Sequence, residues 1–213
     1  MSLLRLEEPR ALEQAIAVLQ HGGVIAYPTD TVYGIGASLQ FPDALDRIYA
    51  IKGRRADAPL PVLLASSEDL AKVSPGVDPR VLELASRFWP GSLTVAVPAL
   101  ASLPPQVIAA DGTVGVRVPA HSIALTLAQR VGGAIATTSA NPSGLPPATR
   151  ASEVIEALGE RLDLVLDGGY SRGGTASTVI RPEGDTITII RDGAIPAETI
   201  RDAWRLVQAT ARL

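Results

Sequence analysis

The 213-residue chain has no cysteine and only two histidines. The first absence removes a disulfide framework, a thiolate metal site and a cysteine nucleophile from consideration. His21 and His121 lie far apart and outside any HExxH pattern, which argues against a histidine-built metal site. No apolar run approaches the roughly 18 residues of a membrane-spanning helix. Charge of either sign is scarce: only 19% of residues are charged and the net charge is −3. Gripping nucleic acid by bulk charge is therefore disfavoured, although a local basic cleft for a small anion is not. Nucleotide signatures are missing too. GxxxxGK[ST] occurs nowhere, and Gly34-Ile35-Gly36 fails as GxGxxG because Leu39 stands where glycine is needed. The glycine-rich run 167–178 is followed by no helical pattern and, without GxxxxGK[ST], is not read as a P-loop, and the chain is read as having no GxSxG elbow. The first ten residues, MSLLRLEEPR, contain acidic residues and no signal-peptide core, so a cytoplasmic location is expected.

What is present centres on residues 22–36, GGVIAYPTDTVYGIG. Gly22 and Gly23 suit a helix end. Residues 24–27 are an apolar run fit for a strand covered on both faces, and Pro28 should end it. Thr29, Asp30, Thr31 and Tyr33 then crowd polar groups onto the strand's carboxyl end, where open α/β sheets bind ligands. Gly34 and Gly36 would let backbone approach whatever sits there. A plain polar turn is the competing reading. Residues 132–144 echo this stretch: Gly132-Gly133, an apolar run, then Thr137, Thr138, Ser139 and Asn141. Two like strand ends could converge on one pocket, or the hydroxyls and amide could simply form turns.

Apolar periodicity predicts helices over 9–20, 41–52, 78–88, 123–131, 152–158 (capped by Ser152) and 196–210. Ser66 and Asp69 look like a capping box for a further short helix. Strands are expected over 61–65, 92–97, 113–118, 164–166, 177–180 and 186–191, the last two joined by a turn at Glu183-Gly184-Asp185. Residues 99–112, rich in proline, read as surface loop. The cluster Lys52, Gly53, Arg54, Arg55 closes a predicted helix. It either complements the macrodipole or forms a phosphate clamp. Arg117 stands in an apolar strand and needs a partner if buried, either a structural or a ligand carboxylate. Prolines and glycines mark turns along the whole chain without a convincing linker, so one domain is favoured.

PTDTVYGIG at 28–36, KGR at 52–54 and SAN at 139–141 resemble, in order and spacing, the YrdC/TsaC family of L-threonylcarbamoyladenylate synthases. VGVRVP at 114–119, DGG at 167–169, STVI at 177–180 and a strand end at Arg191 agree with it. The resemblance implies an α/β fold, a twisted open mixed parallel/antiparallel sheet with flanking helices and a concave ligand face. It implies the short form: one YrdC-like domain over 1–213, a motif-bearing core over about 9–195 and a closing helix over about 196–210. The implied activity is that of a nucleotidyltransferase joining L-threonine, bicarbonate and ATP into threonylcarbamoyl-adenylate, with release of pyrophosphate. The product would pass to the tRNA threonylcarbamoyl transferase machinery for adenosine 37, with a tRNA contact conceivable and no membrane involved. By the same resemblance, Lys52, Arg54, Ser139 and Asn141 form the catalytic phosphate clamp. Thr113, Pro147 and Arg191 lie along the nucleotide, and Thr31, Arg117, Thr137 and Ser177 hold threonine. Mg2+ would accompany ATP without protein side-chain ligands. Two departures stand out. Ala58-Pro59-Leu60 replaces an Asn-Pro-Leu run, and Leu63 stands where longer members often have a histidine. The competing functions are an RNA-binding module using the same basic face, and carbamoyl transfer for metallocofactor maturation. The latter employs a related domain fused to others and fits this length poorly.

Overall fold

Alternation of side chains along strands sorts this sequence into two apolar faces. The computed structural model describes residues 1–171 and 173–211. Its strands are β1 (Ser2–Arg5), β2 (Ile25–Tyr27), β3 (Gly34–Ser38), β4 (Val62–Leu64), β5 (Leu93–Pro98), β6 (Thr113–Arg117), β7 (Ala134–Ser139), β8 (Leu164–Asp167), β9 (Thr178–Glu183) and β10 (Thr186–Arg191). Its helices are α1 (Ala11–Gln20), α2 (Pro42–Lys52), α3 (Pro79–Ser86), α4 (Ser122–Arg130), α5 (Ala151–Ala157) and α6 (Ala197–Thr210). The strands form one ten-stranded sheet in the order β1-β8-β2-β3-β7-β4-β6-β5-β9-β10. Parallel pairs such as β4/β6 and β5/β9 mix with antiparallel ones such as β3/β7 and β5/β6. This is the mixed open sheet with flanking helices that the sequence led us to expect.

One face packs Val24, Ile35, Val62, Val95, Val116 and Ile180 against Leu45 and Ile48 of α2, Leu84 of α3, Val154 of α5 and Trp204 of α6. The other packs Ile25, Tyr27, Leu63, Ile135 and Leu164 against Ile16 and Leu19 of α1 and Ile123 and Leu127 of α4. Among the described residues, none from β5, β6, β9 or β10 joins that second core. Half of one sheet face therefore lacks a helical cover, and the polar groups collect there.

Local departures from the sequence reading have physical causes. β3 was hidden in the expected polar loop, because GIGAS looks like turn composition, yet all five of its residues are buried. Gly36 makes room for the Ala136 carbonyl and Tyr27, whereas Gly34 borders a cavity, and a Cβ there would come 3.1 Å from the Thr137 hydroxyl. A Cβ on Gly36 would come 2.7 Å from the Ala136 carbonyl and 3.1 Å from the Tyr27 hydroxyl. We expect Gly36→Ala to lower stability by about 1–3 kcal/mol through this overpacking, seen as a lower urea midpoint. β1, a short and mostly exposed edge strand, also went unpredicted. α1 starts at Ala11, after Arg10 turns through a left-handed φ of 67°. Arg150, not Ser152, precedes the first turn of α5, where the Glu153 carboxylate accepts from the Thr149 and Arg150 backbone N–H groups. Ser66 donates to the Asp69 carboxylate at 3.0 Å instead of capping the backbone, and the turn that follows is a 3-10 helix. The stretch 99–112 is not all surface, since Val107 is fully buried.

Candidate active site

Strand register brings the two hydroxyl-rich strand ends together. Gly34 pairs with Ser139 and Gly36 with Thr137, so the loop entering β3 lies beside the end of β7. Thr31, Thr137 and Ser139 then line one cavity with Arg117, Ser177 and Arg191. Thr29 shapes the loop. Its hydroxyl donates to the Val32 carbonyl at 2.6 Å and accepts the Thr31 backbone N–H at 3.2 Å. The Tyr27 hydroxyl, pushed up to about 12 by burial, donates to Thr137 at 2.9 Å.

Arg117 ends β6 and is only 6% exposed. The sequence left its partner open between two kinds of carboxylate, and the structure supplies Asp30, with Nη2 2.5 Å from Oδ1. Nε donates to the Gly91 carbonyl at 2.7 Å and Nη1 to the Thr31 hydroxyl at 3.1 Å. Burial pulls the guanidinium pKa down and Asp30 opposes that pull. On the far wall, the Arg191 Nη2 donates to the Ser177 carbonyl at 2.7 Å and to its hydroxyl at 3.1 Å. Ser177 in turn shares a 2.8 Å hydrogen bond with Thr94 of β5. Arg191 titrates low through burial and through the nearby Arg54 and Arg117 charges. Among the described residues lining the cavity, none is an aspartate or glutamate.

Lys52 is the last residue of α2, which Gly53 terminates with a left-handed φ of 59°. Its ammonium donates to the carbonyls of Ser139 and Asn141 and to the Asn141 side-chain oxygen. Burial, with Arg54 adding to it, pushes this lysine down to about 7. The three oxygen acceptors act the other way, because they stabilise the charged form. Arg54 donates to the Ala58 and Pro59 carbonyls, both at 2.8 Å. The run that departs from Asn-Pro-Leu thus holds Arg54 by backbone alone. The Asn141 amide donates to the Leu145 carbonyl at 2.6 Å and fixes the loop that Lys52 grips.

Five expected residues do not line this cavity: Lys52, Arg54 and Asn141, which border it through the Ser139 strand end and the 58–59 run, and Thr113 and Pro147, which lie apart from it. Thr113 is on the Arg117 side of β6, yet four residues along, roughly 13 Å at the usual strand rise. Its hydroxyl donates to Asp111. Pro147 lines a separate concavity in front of α5, shared with Asn141, Leu145 and Thr149. The sequence reading missed the Thr94–Ser177 bond, although a threonine inside the apolar run of β5 was its visible signal. It also passed over the letters GxSxG at Gly169, Ser171 and Gly173. No helix follows them, and the buried Ser171 hydroxyl has no hydrogen-bond partner among the described residues. No three histidine, aspartate or glutamate side chains among the described residues come together to hold a metal ion.

Residues 17–193 match the Sua5/YciO/YrdC family, described as "Telomere recombination". The threonylcarbamoyl-AMP synthase of Bacillus subtilis (strain 168) is 40% identical over 190 residues, which are 89% of this chain and 55% of that protein. The putative threonylcarbamoyl-AMP synthase of Mycobacterium tuberculosis (strain H37Rv) is 34% identical over 196 residues, 92% of this chain and 90% of that one. The crystal structure of P. abyssi Sua5 complexed with L-threonine superposes with a TM-score of 0.88 at 36% identity, covering 95% of this chain and 60% of that chain. The chain thus spans little more than half the length of the Bacillus relative, and within that span its sequence and its sheet place it in the Sua5/YciO/YrdC family.

Proposed function

We propose that this chain makes L-threonylcarbamoyl-adenylate and pyrophosphate from L-threonine, bicarbonate and ATP. The observation that carries the reading is a cavity with hydroxyls and two arginines on its walls, no carboxylate among its described lining residues, and Lys52 and Arg54 beside it. Such a site suits a small carboxylate next to a polyanion. Relatives named threonylcarbamoyl-AMP synthase, and a threonine complex of a structural neighbour, support the same chemistry.

The reaction needs no protein nucleophile. The threonine amine adds to bicarbonate-derived CO2 and loses a proton, giving an N-carboxylate; conversion of bicarbonate releases water. A carboxylate oxygen attacks the α-phosphorus of ATP, and the bond to the β-phosphate breaks with pyrophosphate as leaving group. The protein's part is alignment and charge neutralisation. Arg117, with Thr31, Thr137 and Ser177, would orient threonine. Lys52, Arg54, Ser139 and Asn141 would hold the phosphates, and Arg191 would sit between the two substrates. Mg2+ would enter with ATP and neutralise phosphate charge. Handover to a tRNA-modifying partner and a cytoplasmic location belong to the same proposal. Among the described residues no helix is long and apolar enough to cross a membrane.

The deciding experiment measures pyrophosphate release with and without L-threonine and identifies the product promptly by mass. Threonine-dependent release with the adenylate mass supports the synthase. Tight, salt-dependent RNA binding without such release favours the binding-module alternative.

A pH dependence follows from Lys52. With its ammonium pushed down to about 7, the folded protein sheds between there and the ordinary 10.5 a proton that the unfolded chain keeps. Stability therefore gains a contribution as pH rises through that window, while the charge available to phosphate is lost. ATP affinity is expected to fall between about pH 6 and about pH 8, more steeply in the wild type than in Lys52→Met. Calorimetric titration of both proteins checks this, since the ionisation of ATP is common to them.

A further inference from the structure

We infer that Asp30 divides the cavity by charge, neutralising the Arg117 end so that it takes a zwitterionic amino acid and leaving the polyanion to the Arg54–Arg191 end. The inference rests on the proposed reaction and adds a positioning and specificity role for a residue outside the substrate contacts.

Asp30 follows β2 and reaches Arg117 with one oxygen at 2.5 Å, while the Ser92 hydroxyl donates to the other at 3.4 Å. The Arg117 side chain is buried, 7% exposed, and that of Asp30 is part-buried, 14% exposed. A guanidinium has five N–H donors. Three are used: Nε on Gly91, one on Nη1 for Thr31 and one on Nη2 for Asp30. One hydrogen remains on each terminal nitrogen, so donors are left for a ligand carboxylate. Asp30 thus offsets much of the arginine's charge without consuming its capacity to bind.

The other end is built differently. Arg191 donates to the Ser177 carbonyl and hydroxyl, and Arg54 to the Ala58 and Pro59 carbonyls. These acceptors are neutral, so both arginines keep their full charge. A triphosphate or pyrophosphate is drawn to that uncompensated pair and repelled by the Asp30 carboxylate. An amino acid brings an ammonium with its carboxylate and meets no such repulsion.

The test is calorimetric titration with L-threonine and with inorganic pyrophosphate, each alone and each in the presence of the other. Wild-type protein is expected to bind both at once, with threonine affinity changed less than about twofold by saturating pyrophosphate. In Asp30→Asn, where Arg117 loses its compensating charge, pyrophosphate is expected to compete with threonine and at saturation to lower its apparent affinity at least tenfold. In turnover assays the same variant should raise the KM for threonine and leave the KM for ATP nearly unchanged, a split that general loosening of the fold does not produce. Threonine affinity in Asp30→Asn that saturating pyrophosphate leaves unchanged overturns the inference. So does displacement of threonine by pyrophosphate in the wild type, a result that needs no variant to fold. Failure of the wild type to bind threonine at all overturns the proposed reaction along with it, whereas binding indifferent to Asp30 overturns the charge division alone.

Discussion

Lys52→Ala and Arg54→Ala are each expected to lower threonine-dependent pyrophosphate release by on the order of a hundredfold or more. The magnitude is that of removing a fixed donor from charge that develops in a transition state. Lys52 has a second task that enlarges its effect. It is the donor that ties the Ser139 and Asn141 carbonyls to the end of α2, and the Ser143 backbone N–H returns a bond to the Lys52 carbonyl at 2.9 Å. Removing it frees the loop as well as the charge. The Arg54 guanidinium donates to the 58–59 carbonyls and ties down no second loop, so its alanine variant should lose turnover with a smaller change in melting temperature. Near-normal turnover in both variants, with the fold intact, would remove them from the phosphate clamp.

Arg117→Ala is expected to cost up to about 3 kcal/mol of folding stability, because it leaves a part-buried carboxylate without its charged partner. Asp30 then keeps only the 3.4 Å bond from Ser92 among those its side chain makes in the structure. Adding Asp30→Asn to Arg117→Ala should recover much of the loss, since no unpaired charge remains. Urea unfolding of the two single variants and the double variant measures this as a coupling energy. Additive losses would show that the 2.5 Å pair contributes little beyond its separate side chains.

Much of this was legible beforehand, and the illegible parts share a cause. Helices with a clean apolar stripe, such as α2 and α4, declare themselves through spacing, β2 through an unbroken apolar run and β7 through its apolar first half, although Thr137, Thr138 and Ser139 belong to that strand and not to the loop after it. β3 did not, because the close approach that its glycines allow is to Ala136 and Thr137 of β7, a strand about 100 residues away in sequence, as well as to Tyr27. The convergence of Thr31 with Thr137 and Ser139 could be suspected from the echo between two strand ends, but only register fixes it. Arg117 announced a need for a partner without naming Asp30. Thr113 shows the converse limit. Strand alternation puts it on the correct side, and nothing in the sequence says that the cavity stops short of it. The neutral acceptors around Lys52 were invisible too, since backbone carbonyls leave no trace in residue identity.

The strand order has a further consequence, for how the molecule comes into being. β5 lies between β6, made soon after it, and β9, made much later. During synthesis the far edge of Leu93–Pro98 therefore waits, unpaired and apolar, while the residues up to 177 are added. Bare edges of that kind invite pairing with other chains. The walls bearing Ser177 and Arg191 are the last to arrive, so a nascent chain can possess Lys52, Arg54 and Arg117 and still lack a closed binding site. Contacts this far apart in sequence also make for slow folding. Chemical competence and escape from aggregation are thus reached in the same late step, the docking of the β9–β10 hairpin onto β5.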